Sequence, residues 1–356
     1  MRIIKVGVIG CGEIAQWMHL PFLMDLPGFH VTAVCDISRQ VAAHAGERFG
    51  VERRFTDFRE MLEHADLDAV VIATPIHSDP AIAAAQAGKH VLVEKPMAFN
   101  LGEAEAMADA AEQARVTLMV AYMKRYDPGY QYGQALMRDM RDVHLIRAHD
   151  LCGPNSAFLR DVTTSFRDEL LEEQTRAALM ADIRHRSEAA IGTGHPEAIY
   201  RAYSLLGSLA SHDISILRGT FGSPSAVTHT AVWNDGRYIL SSLDYGAGCR
   251  CVFEIGQTSK KEFDEELAAY GEHNTVHIRF PSPFVKYAPT LVHATEQDGT
   301  ALVQRTVTTS YEESFRRELE HFYTCVVDDR VPDTSGRDGV EDMRLQIDIM
   351  KRALAS

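Results

Sequence analysis

The run Gly10-Cys11-Gly12-Glu13-Ile14-Ala15 follows an apolar stretch, Ile3 to Ile9, and opens a segment that can be helical. Glycines at that spacing, between a strand and a helix, let the backbone approach a dinucleotide pyrophosphate whose charge the helix N-terminus stabilises. Asp36 closes the next apolar run about 20 residues on, where a carboxylate accepts from an adenosine ribose 2′-hydroxyl. Such a carboxylate repels a 2′-phosphate, so NAD is the expected cofactor. Arg39 stands close by and a guanidinium can hold that phosphate, which keeps NADP as the less favoured alternative. Thr74-Pro75-Ile76-His77 ends a further apolar run, where a loop can touch the ribose or nicotinamide, although His77 can equally cap the loop.

A second short stretch, Glu94-Lys95-Pro96, sets a lysine at the end of Lys89-His90-Val91-Leu92-Val93. In a parallel sheet that is the end where a reacting substrate meets the nicotinamide. Lys95 there is a candidate acid/base or hydroxyl-orienting group; a solvated lysine at a strand end is the alternative. Together the two stretches read as a hydride-transfer site whose proton chemistry involves a lysine. The cofactor-binding candidates are Gly10, Gly12, Glu13, Ile14, Ala15, Asp36, Ile37, Arg39, Thr74, Pro75, His77, Glu94, Lys95 and Pro96.

The elements that must position these residues alternate regularly over the first 120 or so residues. Strands are predicted at Ile3–Ile9, His30–Cys35, Ala69–Ala73, His90–Val93 and Thr117–Val120. Helices fall between them at Ile14–Leu23, Arg39–Phe49, Phe58–Glu63, Pro80–Gln86 and Leu101–Ala114. Short apolar strands without polar alternation suit a parallel sheet covered on both faces, and β-α-β alternation makes it doubly wound. After Tyr122 the pattern changes. A loop leads into a helix over Met123–Met140, a strand follows at Val143–His149, and charged helical sequence runs from Ser165 to Ser187 and from Pro196 to Leu217. From Ser223 the chain turns β-rich, with Asn234-Asp235-Gly236, Gly246-Ala247-Gly248 and Gln297-Asp298-Gly299 as turns of an antiparallel meander. Two amphipathic helices, Ser310–Val327 and Gly339–Ala355, close it. The expected fold is α/β: a Rossmann domain over 1–122, then an α+β domain over 123–356 with an open, mostly antiparallel sheet. That second range carries a helical insert at about 153–200 and closing helices at about 310–356 that pack back toward the first domain.

At 356 residues the chain exceeds one ordinary hydrophobic core, which agrees with two domains. A formal charge of −14 argues against nucleic-acid or anionic-membrane partners, since both need a basic footprint. No run of about eighteen apolar residues suggests a bilayer span, and no secretory signal is evident, so the expectation is a cytoplasmic protein. The six cysteines are scattered and read as free thiols. His185, His195, Asp182, Glu188 and Glu197 in the insert lack dependable ligand spacing, and no metal is expected.

Gly10–Ala15, Thr74-Pro75 with Ala81, Glu94-Lys95-Pro96 and Arg125-Tyr126-Asp127-Pro128, in that order, resemble the Gfo/Idh/MocA oxidoreductases. Glu318–Phe322, Arg330-Val331-Pro332 and Ser335-Gly336-Arg337-Asp338-Gly339 resemble that family's closing helix–loop–helix. The resemblance implies hydride transfer at a carbinol carbon of a sugar, cyclitol or similar polyol, and a homodimer or homotetramer built on the open sheet. It also implies an Asp-x-x-x-His motif on a helix, matched here by Ser208 to His212 with serine in the aspartate's place. His212 is thereby the second catalytic candidate. Ser208 carries no charge to support it, and Asp213, about 100° further round a regular helix, does not repair the loss. One of the insert's carboxylates is a candidate substitute.

Arg125 and Tyr126, where the chain leaves the first domain, and His149, Asn155 and Tyr203 near likely substrate-facing elements complete the substrate candidates with Lys95, Ser208 and His212. The insert itself reads as a helical lid or an oligomer contact. Two rival functions stand beside a dehydrogenase. One is elimination, glycoside cleavage or epimerisation on tightly held NAD; the other is a non-catalytic NAD(P)-binding sensor.

Overall fold

The computed structural model describes residues 2–154 and 165–355, so Asn155 lies outside the described residues. The chain divides into two units. One comprises the described parts of Met1–Tyr122, Thr163–Ala190 and Phe315–Met343; the other comprises those of Met123–Val162, Ile191–Ser314 and Arg344–Ser356. The expected second range, 123–356, is thus interrupted twice by segments grouped with the first unit.

In the first unit, β1 (Ile4–Ile9), β2 (Phe29–Cys35), β3 (Arg53–Phe55), β4 (Ala69–Ile72), β5 (His90–Glu94) and β6 (Leu118–Ala121) form one sheet in the order β3-β2-β1-β4-β5-β6. Every pairing in it is parallel. All four residues of β4 and of β6 are buried, as strands covered on both faces require. The covering helices include α1 (Leu20–Asp25), preceded by a π turn at Ala15–His19, α2 (Arg39–Phe49), α3 (Phe58–His64), α4 (Ser78–Gln86) and α5 (Leu101–Ala114). Two caps are side-chain built: Ser38 accepts from the Val41 amide at the start of α2, and Asn100 from the Glu103 amide at the start of α5. The strand order reverses between β1 and β4, and the carboxyl ends flanking that point are where an open α/β sheet leaves a ligand crevice.

The second unit holds α6 (Pro128–Asp139) and an eight-stranded sheet. Its strands are β7 (Val143–Cys152), β8 (Ala226–Trp233), β9 (Tyr238–Gly246), β10 (Cys249–Gln257), β11 (Phe263–Gly271), β12 (Asn274–Phe280), β13 (Leu291–Asp298) and β14 (Ala301–Thr308). The order is β14-β13-β12-β11-β7-β10-β9-β8, antiparallel throughout except for β7 against β10. The long helix α7 (Glu169–Ile191) is grouped through Ala190 with the first unit; α8 (Glu197–Leu205) and α9 (Ser211–Phe221) belong to the second. Helix α9 packs on β7 and β11, and α6 on β12 and β13. The closing helices are α10 (Ser314–Asp328) and α11 (Gly336–Leu354).

A doubly wound parallel sheet and a mostly antiparallel second sheet are therefore both present. Two strands lie outside the sequence expectation. β3 is Arg53-Arg54-Phe55, exposed and without an apolar run. In β13 only Val292, Ala294 and their alternation mark the buried face. The predicted helix Pro196–Leu217 is also interrupted, by a π turn at Leu206–Ala210. All six cysteines are free and buried.

Candidate functional site

Four features converge on the carboxyl edge of the first unit's sheet: the glycine turn after β1, Asp36 after β2, Thr74 after β4 and Lys95 after β5. Gly10 has φ +88°, and a Cβ there would lie 2.6 Å from the Ala73 carbonyl carbon, so only glycine fits. A Cβ at Gly12 would meet nothing within 4 Å. The turn is thus closed against the sheet at Gly10 and open at Gly12, and the residues present fit a dinucleotide. Asp36 is fixed by two amides, Cys11 N to Oδ2 and Ser38 N to Oδ1, both 2.9 Å. Each oxygen keeps a lone pair for a ribose hydroxyl. Burial pushes the Asp36 carboxyl up, the carboxylates of Glu172 and Asp168 add to that, and the two amides oppose it. Ile37 is 72% exposed beside it, and Arg39 is exposed at the start of α2.

The lysine's support is built from its neighbours. His19 Nε2 donates to Glu94 Oε1 at 2.7 Å, and Glu94 Oε2 accepts from the Lys95 amide at 3.1 Å. Burial works to raise the Glu94 carboxyl, but the His19 hydrogen bond and the charges of His19 and Lys95 outweigh it and hold it below the ordinary range. Glu318 on α10 is buried too; burial, then the Glu94 charge, push it well above its ordinary range. His77 is buried and its Nδ1 lies 2.8 Å from the Pro96 carbonyl, which can only accept, so the proton sits on Nδ1. Burial lowers the His77 pKa and keeps the ring neutral. His77 thereby fastens the Glu94-Lys95-Pro96 turn. Thr74 Oγ1 donates to the Ile76 carbonyl at 2.7 Å and closes its own loop. Lys95 itself is half-buried.

The insert supplies a strap that the sequence did not reveal. Gln16, buried in the π turn, donates from Nε2 to the Phe166 carbonyl and accepts from the Phe166 amide, each at 2.9 Å. The Phe166 ring stacks on His44, centroids 4.9 Å apart. Ser38 Oγ donates to Asp168 Oδ2 at 2.6 Å. Further along, α7 is anchored by Arg186, whose Nη1 donates to Glu103 at 2.7 Å and to Ser78 at 3.0 Å. Asp182 and Glu188, the insert's candidate carboxylates, pair with Arg186 and Arg184 of their own helix.

In the second unit His212 is half-buried on α9, directly after the π turn. Ser208 lies inside that turn and is exposed. A π turn bonds i to i+5 rather than i+4, so the four-residue spacing that would set Ser208 beside His212 on a regular helix does not apply. Asp213 points inward instead and is fully buried. Its carboxyl meets those of Asp150 on β7 and Glu265 on β11, with ligand oxygens all within 4.8 Å of one another. Asp150 and Glu265 are direct cross-strand partners, which for two like charges is unfavourable. Lys124 resolves part of the conflict by pairing with Glu265, its ammonium 5.6 and 5.4 Å from the Phe263 and Phe280 ring centres. Protons resolve the rest. Burial raises all three carboxyls, Asp213 well above its ordinary range and Glu265 to about 7. Helical spacing with Ile216, Leu217 and Thr220, and strand alternation with Leu267 and Ala269, were the signals for this cluster.

The other substrate candidates are engaged locally. Arg125 Nη1 donates to the Ser215 carbonyl at 3.1 Å, and Tyr126 and Tyr203 are buried. His149 Nδ1 sits 2.7 Å from Glu254 Oε2 within the sheet.

The fold and the glycine edge define a Rossmann dinucleotide-binding domain joined to a large mixed sheet. Residues 4–122 match the Gfo/Idh/MocA family model, described as an oxidoreductase family with an NAD-binding Rossmann fold. That match covers the N-terminal third of the chain, and it is there that the chain is similar to the Gfo/Idh/MocA oxidoreductases. It is 39% identical over 140 residues to D-apiose dehydrogenase of Paraburkholderia graminis, 39% of this chain and 36% of that one. It is 32% identical over 129 residues to scyllo-inositol 2-dehydrogenase (NAD(+)) of Bacillus subtilis, 36% of this chain and 38% of that one. The matches thus span well under half the length of these relatives. The fold extends further: aldose-aldose oxidoreductase from Caulobacter crescentus superposes with a TM-score of 0.76 at 21% identity, over 99% of this chain and 98% of that one. No helix among the described residues is long and apolar enough to cross a membrane.

Proposed function

We propose that the protein is an NAD(P)-dependent oxidoreductase that moves a hydride between nicotinamide and a carbinol carbon of a sugar, cyclitol or related polyol. The observation that carries this reading is the convergence of the glycine turn, Asp36 and Glu94-Lys95-Pro96 on one carboxyl edge of a parallel sheet. The dinucleotide supplies the hydride acceptor, and the protein binds, orients and moves protons. The Gly10–Ala15 turn and the following amides hold the pyrophosphate, Asp36 the adenosine ribose, and Thr74, Pro75 and His77 the nicotinamide side. Lys95 orients the substrate oxygen, and His212 takes its proton when an alcohol is oxidised and returns it in the reverse direction. NAD is favoured over NADP because Asp36 accepts from a 2′-hydroxyl and opposes a phosphate. The inositol and apiose dehydrogenases among the relatives support polyols as the substrate class. β14 exposes Leu302 and Val303 at the open end of the second sheet, which supports a homodimer or homotetramer.

A second reading draws on the strap: Gln16 ties the Phe166 backbone to the Cys11 carbonyl of the glycine turn, and slow cofactor exchange there would suit non-redox catalysis on retained NAD. One experiment separates the two. Nicotinamide absorbance is followed while the protein meets a panel of sugars, inositols, their phosphates and glycosides, with NAD and NADP in separate runs. Net reduction with one substrate class supports the dehydrogenase. Substrate conversion without net reduction, on cofactor that survives purification, supports the alternative. An inert protein that binds neither nucleotide overturns both.

A further inference from the structure

We propose that Asp168, carried by the insert, is a specificity-determining residue that turns the adenosine pocket against a 2′-phosphate. This rests on the reading of Asp36 as the ribose-binding carboxylate. Ser38 stands two residues beyond Asp36, and its amide donates to Asp36 Oδ1 at 2.9 Å. Its hydroxyl is the donor a 2′-phosphate would seek there, and that hydroxyl is already given to Asp168 Oδ2 at 2.6 Å. The remaining capacity of Ser38 Oγ accepts from the Val41 amide at 3.2 Å, so it has no second proton to offer. Asp168 therefore acts twice. It withdraws a donor, and it adds a carboxylate next to one already present.

Glu172, one turn along α7, extends the same negative surface, and it is held by Arg167 at 3.0 Å. A phosphate of nearly two charges entering here would face Asp36, Asp168 and Glu172, with exposed Arg39 and the Glu172-paired Arg167 as the opposing cations. A ribose 2′-hydroxyl meets no such cost. The position of Asp168 is fixed: Phe166, two residues earlier, is clamped by Gln16 and His44, and Asp168 Oδ1 caps α7 by accepting from the Leu171 amide at 3.2 Å. Nothing in the sequence of the first 122 residues encodes this second charge. A segment more than a hundred residues away along the chain supplies it.

The test is calorimetric titration of NAD and of NADP into wild type, Asp168→Asn and Glu172→Gln, with thermal melting to verify folding. Asparagine keeps an acceptor for Ser38 and a good helix cap while removing the charge. The wild type is expected to bind NAD more tightly than NADP. Asp168→Asn should move the ratio of the two dissociation constants toward NADP by about tenfold, and Glu172→Gln by a smaller factor in the same direction. An unchanged ratio in both folded variants overturns the role of Asp168. A wild type that prefers NADP overturns it as well, while leaving the dinucleotide site standing. A wild type that binds neither nucleotide overturns the cofactor reading itself.

Discussion

In the proposed mechanism Lys95 orients the substrate oxygen and His212 exchanges its proton. Lys95→Ala and His212→Ala are each expected to cut turnover by about a hundredfold or more, with the NAD dissociation constant little changed. Steady-state kinetics beside calorimetry checks this, and unchanged turnover in both variants would sink the mechanism. Gly10 carries a different kind of necessity. With φ +88° and the Ala73 carbonyl carbon 2.6 Å from any Cβ, Gly10→Ala should cost about 2–4 kcal/mol, read as a lowered melting midpoint. A midpoint equal to wild type would mean the turn can be rebuilt without glycine. At this scale the sequence was informative about position: Gly10, Asp36 and Lys95 stand just past the ends of β1, β2 and β5, where the apolar runs stop. It was blind to partners brought by folding: that His77 would fasten Pro96, or that Asp168 would reach Ser38, depends on distances no spacing encodes.

The elements show where periodicity suffices. The strands of the parallel sheet are short, apolar and bounded by turns, so β1, β2, β4, β5 and β6 were legible to within a residue or two. The π turn at Leu206–Ala210 was not, because one residue of slippage leaves no mark on composition, and it decides that Asp213 rather than Ser208 is turned into the protein. The junction of β7, β11 and α9 also gives a pH signature. Asp150, Asp213 and Glu265 fold with raised pKa values, beside Lys124, His149, Cys152 and Asp127. The folded state therefore binds more protons than the unfolded one above the ordinary carboxylate range. Stability from this source is fully present below those ordinary values and is lost as pH rises, for Glu265 from 4.5 to about 7. Glu94 and Glu254 shift the other way, and their contributions are lost only as pH falls below about 4.5, outside that window. Melting midpoints across about pH 5 to 7.5 should accordingly fall less steeply in Asp213→Asn than in wild type. Equal slopes would show that Asp213 takes up no proton on folding.

For the whole molecule, the two fold types were readable because the change from β-α-β alternation to an antiparallel meander is a change of period. The division into units was harder: residues up to Ala190 of the insert group with the first unit from far along the chain, and the last helix is shared, its part up to Met343 grouped with the first unit and the rest with the second. The proposed reaction is one event, a hydride leaving a carbinol carbon for nicotinamide. The most direct measurement is isotopic: the protein is incubated with NAD and a panel of inositols and aldoses deuterated at their carbinol carbons, and the nicotinamide is examined by NMR. One deuterium is expected at the nicotinamide C4 position with one polyol class. Polyol conversion that leaves the deuterium on the substrate or loses it to water, or no labelling of nicotinamide across the panel, would contradict it.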